Sequence, residues 1–166
     1  TVAELRRHVL VWLQFFAAAL ADPDGRADRL DPDTWDLDPT DRARSIVEPA
    51  ADYLARAVGH GVANRLVTMS QARMAGDWVL AMALGAYLIH GWDLAVATGQ
   101  AWPPATDGPD ETAAAALAFL EATVAPEYRG PDSGFFGHEV TAPAEATTFE
   151  RLLCFAGRQP DWTPPT

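Results

Sequence analysis

The chain is poor in cysteine and in basic residues, and both shortages exclude classes of function. Cys154 is its single cysteine, so no disulfide can form within the chain and a cysteine-based zinc site is excluded. Lysine and arginine together number 12 against 23 acidic residues, which gives a formal net charge of −11. Sequence-independent binding to nucleic acid or to an anionic membrane depends on basic patches. We therefore expect neither of these among its partners.

Long uninterrupted hydrophobic runs are also missing. The longest apolar stretch, residues 78–89, is broken by Gly85 and ends at His90, which makes it too short for a membrane span by sequence. No signal peptide is apparent. Hydrophobic residues still make up 49% of the 166-residue chain, enough for a substantial core. We expect a single soluble, cytoplasmic domain over residues 1–166.

Helices are predicted at both sides of a long acidic segment near the N-terminus. The first covers about residues 2–21, because Thr1 and Glu4 form a capping box ahead of an apolar stripe. The stripe comprises Leu5, Val9, Trp12 or Leu13, Phe16 and Leu20. The second covers about residues 40–58, capped by Thr40 and ended by glycines. Pro49 inside it predicts a kink or a late start.

The third predicted helix, about residues 75–98, is apolar nearly all round, which is typical of a central, buried helix. Asp77 is its expected N-cap and Gly99 its C-terminal stop. Residues 62–74 before it fit either a short strand or an extended crossover. Two further helices are expected, over about residues 110–124 with a cap at Asp110 and over about residues 147–157. The pattern predicts an all-α, up-and-down helix bundle with long loops.

Candidate chemistry is concentrated on the third helix. His90 and Asp93 lie three residues apart, so their side chains share one face. Buried polar groups are costly unless they are paired, so this pair requires each other, a ligand or a metal. His8, beside the stripe of the first helix, is a second candidate metal ligand, since bundles build such sites from inward-pointing side chains. Arg73 is a candidate for gripping a carboxylate of a ligand or cofactor.

Each of these residues also has an ordinary structural explanation. His90 fits a hydrogen-bonded core histidine, and Asp93 fits the carboxylate that orients it. His8 fits a partly exposed helix side chain, and Arg73 fits a solvated surface charge. Cys154 lies in an apolar helical pattern, which favours a buried structural thiol over a nucleophile.

Three runs of the sequence resemble the actinobacterial family of mycothiol-dependent maleylpyruvate isomerases, within the wider DinB-like metal-binding helix bundles. They are Thr1-Val-Ala-Glu-Leu-Arg-Arg-His8, His90-Gly-Trp-Asp93-Leu-Ala-Val-Ala-Thr-Gly99 and Phe149-Glu-Arg-Leu-Leu-Cys-Phe-Ala-Gly157-Arg-Gln-Pro160-Asp-Trp162. The resemblance covers most of the chain and is strongest at residues 71–100 and 147–162.

The resemblance implies a DinB-like bundle and a divalent metal, usually zinc, held by His8, His90 and a middle ligand. That middle position falls at Ala86, which has no donor atom. It also implies mycothiol as a cofactor and a thiol-dependent isomerase or transferase activity on small organic molecules. A helix that usually precedes the segment matching Thr1 is expected to be absent here, and the apolar surface left uncovered would favour a homodimer.

Three hypotheses follow for the function. The first is the metal- and mycothiol-dependent enzyme. The second is a metal-free protein that binds a small molecule, or catalyses a step of secondary metabolism, at a pocket around His90 and Asp93. The third is an interaction module without catalysis.

Overall fold

The structure of the protein is a computed structural model and describes residues 1–22, 24, 43–69, 72–102, 109–132 and 136–164. Within these ranges the chain is mainly helical, as predicted, with one small sheet. Its helices are α1 (Val2–Ala21), α2 (Ala43–Gly59), α3 (Gly76–Ala97), α4 (Pro109–Thr123) and α5 (Thr148–Phe155), and its strands are β1 (Leu66–Met69) and β2 (Ala72–Ala75). Short 3₁₀ turns cover Val62–Asn64 and Pro126–Tyr128.

The chain divides into two compact units, residues 1–83 and residues 84–166. We refer to them as the N-terminal unit and the C-terminal unit. Whether the two units form the single domain predicted over residues 1–166 stays a prediction.

Helix α1 begins with the predicted capping box. The Thr1 hydroxyl accepts the Glu4 backbone N–H at 3.3 Å and donates to the Glu4 carboxylate at 2.8 Å. The predicted apolar stripe is displaced, however, because α1 packs against both α2 and β1 and so buries a broader face. Its buried side chains are Leu10, Val11, Phe15, Phe16, Ala17, Ala19 and Leu20.

Helix α2 contains Pro49 in its interior and begins six residues earlier, at Ala43, so a late start at the proline is excluded. The cap expected at Thr40 lies outside the described residues. The described part of α2 turns its face with Ile46 and Ala50 inward, where both side chains are buried.

The ambiguous segment before α3 contains two short paired strands, so the short-strand alternative for residues 62–74 is confirmed, and the fold remains predominantly α-helical as predicted. β1 and β2 pair antiparallel, with Leu66 opposite Ala75 and Met69 opposite Ala72. Gly76 follows at once, and its N–H donates to the Arg65 carbonyl at 2.7 Å.

Helix α3 begins as predicted at Gly76 and ends at Ala97, one residue before the predicted end, and the predicted stop Gly99 has a left-handed φ of +69°. Two details differ from expectation. Asp77 is not the N-cap, because it lies inside the helix and accepts the N–H of Trp78 at 2.8 Å. The helix is not buried on all sides either, since Trp78 and Tyr87 are 44% and 47% exposed.

The same helix corrects the expectation about membrane spans. With 22 residues and a mean hydropathy of 1.5 over its most apolar window, α3 is long and apolar enough to cross a membrane. One such helix is weak support for a span, because a core helix of a soluble protein has the same length and composition.

In the C-terminal unit, α4 and α5 pack against each other. Because α4 begins at Pro109, Asp110 lies in its first turn and is not its N-cap. The Asp110 carboxylate instead accepts the N–H of Phe149 at 3.1 Å, in the first turn of α5. Thr147 caps α5 and forms a capping box with Glu150. Asp110 therefore accepts a backbone N–H at the N-terminus of α5, 39 residues away, instead of one at the N-terminus of α4.

Candidate functional site

The candidate site is centred on the carboxylate of Asp93. Its Oδ2 atom lies 3.1 Å from Nδ1 of His90 and 3.0 Å from Nη2 of Arg158. Its Oδ1 atom accepts from Nε of Arg158 at 3.3 Å. The guanidinium thus binds the carboxylate through two parallel hydrogen bonds, the geometry in which arginine is most specific for a carboxylate.

Two separate parts of the chain position these three side chains. One turn of α3 places His90 and Asp93 side by side. Arg158 follows Gly157, whose φ of +85° turns the chain away after α5. The backbone N–H of Arg158 then donates to the Leu153 carbonyl at 2.8 Å, and its Nη1 donates to the Ala156 carbonyl at 2.6 Å. The arginine is therefore fixed at both its backbone and its head group.

The group of three is largely buried, with side-chain exposures of 25% for His90, 18% for Asp93 and 23% for Arg158. Burial alone pushes the pKa of Asp93 upwards. The hydrogen bonds and charges of His90 and Arg158 outweigh that effect, so the pKa of Asp93 lies below its ordinary value. Asp93 is therefore ionised at neutral pH.

The ionised carboxylate determines the tautomer of His90. An ionised carboxylate can only accept hydrogen bonds, so the Nδ1 atom that faces Asp93 must carry the proton. In the neutral ring Nε2 is then the basic nitrogen. A carboxylate behind a histidine is a common way to set ring orientation and basicity.

A pocket of about 460 Å³ opens beside Asp93 and Arg158. Trp92, Gln159 and Trp162 contribute to its walls, and Trp162 is 44% exposed. A volume of this size is within the range of pockets that hold small molecules, and such pockets combine apolar walls with a few fixed polar groups. The arrangement is suited to anchoring a small organic ligand.

A larger pocket of about 640 Å³ lies in the N-terminal unit between α1 and α2. Its walls are mainly apolar, with alanines from α1 facing Ile46, Pro49 and Tyr53 from α2. Volume alone favours this pocket, but the charged group of three lies at the smaller one. We therefore place the candidate site at Asp93.

The structure brings two of the predicted site residues together. His90 and Asp93 are hydrogen-bonded, as expected from their spacing. His8 belongs to the N-terminal unit, where its ring centroid lies 5.9 Å from that of Trp12, and its meeting with His90 stays a prediction. Arg73 is exposed on β2 opposite Thr68, and its predicted contact with a cofactor also stays a prediction.

Arg158 is the residue that sequence reasoning missed. It belongs to the C-terminal run that carries the family resemblance, and no sequence pattern assigns it a role. Its partner lies 65 residues earlier, and no periodicity connects the two positions. The one local signal is the preceding glycine, which marks a turn after α5.

The described donors do not form a metal centre of the expected kind. Across the described ranges, no group of three or more His, Cys, Asp or Glu side chains is placed to hold a metal ion. Asp93 already accepts from His90 and Arg158, and the guanidinium next to it would repel a cation. Ala86, one turn before His90, offers no donor. We therefore derive no chemical step through a metal.

Cys154 is buried, as predicted for a structural thiol. Burial raises the pKa of its thiol above the ordinary value, and the carboxylates of Glu150, Asp161 and Glu139 raise it further. A thiol that resists ionisation is a poor nucleophile.

Two uncharacterized proteins of Mycobacterium tuberculosis, from two strains, are 32% identical to this chain over 128 residues. The match covers 74% of this chain and 66% of each relative, so the chain spans just under two thirds of the length of these relatives. No family model matches the chain, and no solved structure matches it. The chain is thus similar to proteins of an actinobacterium whose names assign no activity.

Proposed function

We propose that the C-terminal unit binds a small organic molecule in the pocket beside Asp93 and Arg158. In this proposal the ion pair anchors the ligand, and His90 holds the Asp93 carboxylate in place through its Nδ1 atom. No metal takes part. The observation that carries the proposal is the largely buried Asp93–Arg158 pair at the wall of a pocket of ligand size.

Stability alone is a poor reason to keep such a pair. Removing two charges from water costs several kcal/mol per ion, and a well-packed apolar pair is often as stable. Partly buried charges with shifted pKa values at the wall of a cleft mark candidate binding and catalytic sites. We therefore explain the desolvation cost of the Asp93–Arg158 pair by its use in binding a ligand.

Each side chain of the candidate site has a separate role in this proposal. Arg158 uses three of its N–H groups on Asp93 and Ala156, so a guanidinium has two more with which to meet an oxygen of the ligand. The Nδ1–H of His90 donates to Asp93 and fixes the position of its carboxylate at the pocket wall. The half-exposed indole of Trp162 forms part of the apolar wall of the pocket.

A fragment screen by ligand-observed NMR tests this proposal. Fragments that bind the wild type should lose binding in Arg158→Met, which keeps the length of the side chain but not its hydrogen bonds. Glu121→Gln, which removes an exposed charge on α4 away from the pocket, is the control. Binding that survives Arg158→Met in a folded protein would contradict the proposal.

A second candidate is the mycothiol-dependent isomerase or transferase implied by the resemblance. It is favoured by the actinobacterial source of the relatives and by the position of the C-terminal run, which lines the pocket with Arg158 and Trp162. A zinc or other divalent ion at His8 and His90 would supply Lewis-acid chemistry when bound. This candidate keeps a cytoplasmic location and a homodimer as proposals.

Elemental analysis of protein purified without chelator separates the two candidates. Near-stoichiometric zinc would support the second, and Ala86→Glu should then raise zinc affinity by adding a ligand one turn from His90. Absence of zinc together with ligand binding that depends on Arg158 would support the first. The non-catalytic interaction module predicts neither zinc nor ligand binding.

A further inference from the structure

The guanidinium of Arg158 keeps hydrogen-bonding capacity after its contacts with the protein. Its Nε and Nη2 atoms donate to Asp93, and its Nη1 atom donates to the Ala156 carbonyl. A second N–H on each Nη atom has no partner among the described residues. The second N–H of Nη2 lies in the guanidinium plane and cannot point to the Asp93 carboxylate as well. Because Arg158 lines the pocket, it offers this donor to an oxygen atom of a ligand.

The carboxylate of Asp93 has little accepting capacity left. Its Oδ2 atom accepts from Nδ1 of His90 and from Nη2 of Arg158, and its Oδ1 atom accepts from Nε of Arg158. These bonds occupy most of the roughly four positions at which a carboxylate accepts hydrogen bonds. A ligand that donates hydrogen bonds therefore meets few partners at the ion pair, whereas a ligand that accepts them meets Arg158.

The charges at the wall of this pocket balance each other. Nη2 of Arg158 lies 3.0 Å from Oδ2 of Asp93, so an anionic ligand on Arg158 would also come close to a carboxylate that repels it. Glu150 and Asp161 line an adjoining pocket that shares Gln159 with this one, and they add negative charge on that side. The electrostatics therefore favour an uncharged acceptor over a carboxylate.

The apolar walls of the pocket indicate the body of the ligand. Trp92 and Trp162 both line it, and Trp92 is buried while Trp162 is 44% exposed. Ala97 and Val140 add further apolar surface. Indole rings bury large apolar areas and pair favourably with other aromatic rings. A flat aromatic group is therefore suited to these walls.

The backbone that carries Arg158 is held by close packing. Gly157 has a φ of +85°, and a Cβ atom there would lie 3.0 Å from backbone atoms of Gly137 and from the carbonyl oxygen of His138. The turn before Arg158 thus packs directly on this second segment. A donor that is held in place before the ligand arrives loses less conformational freedom on binding.

We propose that the ligand of the Asp93 pocket is an uncharged aromatic carbonyl compound. Its carbonyl oxygen accepts a hydrogen bond from the guanidinium of Arg158, and its ring lies against Trp92 and Trp162. This inference rests on the proposed function, because it requires a ligand anchored at the ion pair. It adds the head group, the charge and the aromatic body of that ligand.

Three probes of one ring and nearly one shape test the inference. Acetophenone has the uncharged carbonyl, ethylbenzene replaces that carbonyl with a methylene group, and benzoate carries a charge. Each is titrated into the full chain, labelled with ¹⁵N, at low ionic strength, and binding is followed by the indole N–H signals. Loss of one signal in Trp162→Phe assigns the indole of Trp162. In the wild type, acetophenone should bind about tenfold or more tightly than benzoate.

Asp93→Asn tests the charge balance. It removes the negative charge beside Arg158 and nearly keeps the shape of the side chain, so the ratio of benzoate to acetophenone affinity should rise by about tenfold or more. Glu121→Gln is the matched control, because it removes one negative charge at an exposed position of α4 outside the pocket walls. It should leave the ratio unchanged. An unchanged ratio in Asp93→Asn would overturn the preference for an uncharged ligand.

Arg158→Met tests the carbonyl contact. Hydrogen bonds from a charged donor are stronger than neutral ones, so the ratio of acetophenone to ethylbenzene affinity should fall about tenfold in this variant. The comparison with ethylbenzene corrects for the different hydrophobicity of the two probes, since each is measured in both proteins. A ratio equal to that of the wild type would overturn the carbonyl as the group that Arg158 binds.

The remaining outcomes separate the inference from the proposed function. Tighter binding of benzoate than of acetophenone in the wild type, lost in Arg158→Met, would overturn the uncharged ligand and support the proposed function. Failure of all three probes to bind would overturn the aromatic carbonyl ligand, while other fragments that depend on Arg158 would still support the proposed function. Three affinities unchanged in folded Arg158→Met would overturn both.

Discussion

The described ion pairs inside the N-terminal unit differ in kind from the one at the centre of the C-terminal unit's candidate site. In the N-terminal unit, the described ion pairs Thr1–Glu4 and Arg44–Glu48 join residues three and four positions apart and are exposed. In the C-terminal unit, Arg158 and Asp93 pair across 65 residues and are largely buried. Short exposed pairs add little stability, whereas the partly buried long-range pair loses part of its hydration on folding.

The side-chain hydrogen bonds of the C-terminal unit follow the same trend. Trp102 Nε1 donates to the Leu88 carbonyl, and Nη1 of Arg129 donates to the Phe155 carbonyl while its guanidinium lies over the Phe155 ring. Each bond ties a connecting segment to a helix. Connecting segments that are fixed in this way can carry a site with defined geometry.

Close backbone packing is what we expect to be most sensitive in the N-terminal unit. A Cβ atom at Gly76 would lie 2.0 Å from the Val62 carbonyl oxygen, and a backbone atom cannot move aside as a flexible side chain can. Gly76→Ala should therefore lower the free energy of unfolding by about 3 kcal/mol. Urea unfolding followed by circular dichroism measures this.

Gly85→Ala is the matched control on the same helix. Its Cβ would meet the Ala116 Cβ at 3.4 Å, an ordinary contact, and alanine is the better helix former. Its free energy of unfolding should stay within about 1 kcal/mol of the wild type. Equal effects of the two substitutions would mean that the close approach at Gly76 is not what holds the 3₁₀ turn at Val62–Asn64 against the start of α3.

The charged pairs offer the second test of the difference between the units. Arg158→Met leaves the Asp93 carboxylate and the Ala156 carbonyl without the guanidinium, and should cost about 2 kcal/mol, less than for a fully buried pair because both side chains are about one fifth exposed. Arg44→Met breaks an exposed pair and should cost about 0.5 kcal/mol or less. Thermal unfolding of both variants measures this contrast. Similar losses of unfolding free energy in the two variants would contradict the difference between the ion pairs of the two units.

Local signals predicted the helix ends well. Thr1 with Glu4 predicted the start of α1, because a capping box is contained within four residues. Asp110 was placed correctly in the chain but assigned to the wrong helix, since its carboxylate binds the N-terminus of α5. Which helix an aspartate caps depends on packing, and packing is not visible in a short window of sequence.

The candidate site was only half predictable for the same reason. The spacing of His90 and Asp93 follows from helix geometry alone. The partner that keeps Asp93 ionised, Arg158, comes from a turn 65 residues later and has no periodic relation to α3. The burial of α3 was overestimated because uniform apolar composition does not tell which face is covered, and Trp78 lies on an exposed one.

The pH dependence of stability gives the finest test of the C-terminal network. The pKa of Asp93 in the folded protein lies below its unfolded value of 3.8, because the hydrogen bonds and charges of His90 and Arg158 outweigh burial. Its contribution to stability is therefore complete above that value and is lost as the pH falls through the folded pKa. The difference in unfolding free energy between wild type and Asp93→Asn should shrink as the pH falls below about 4. Asp52→Asn, on an exposed position of α2, shows how much of the profile comes from the loss of any one carboxylate. If this difference persists undiminished down to the lowest pH at which the protein is folded, Arg158 and His90 do not stabilise the ionised form of the Asp93 carboxylate. The electrostatic difference between the two units would then be contradicted.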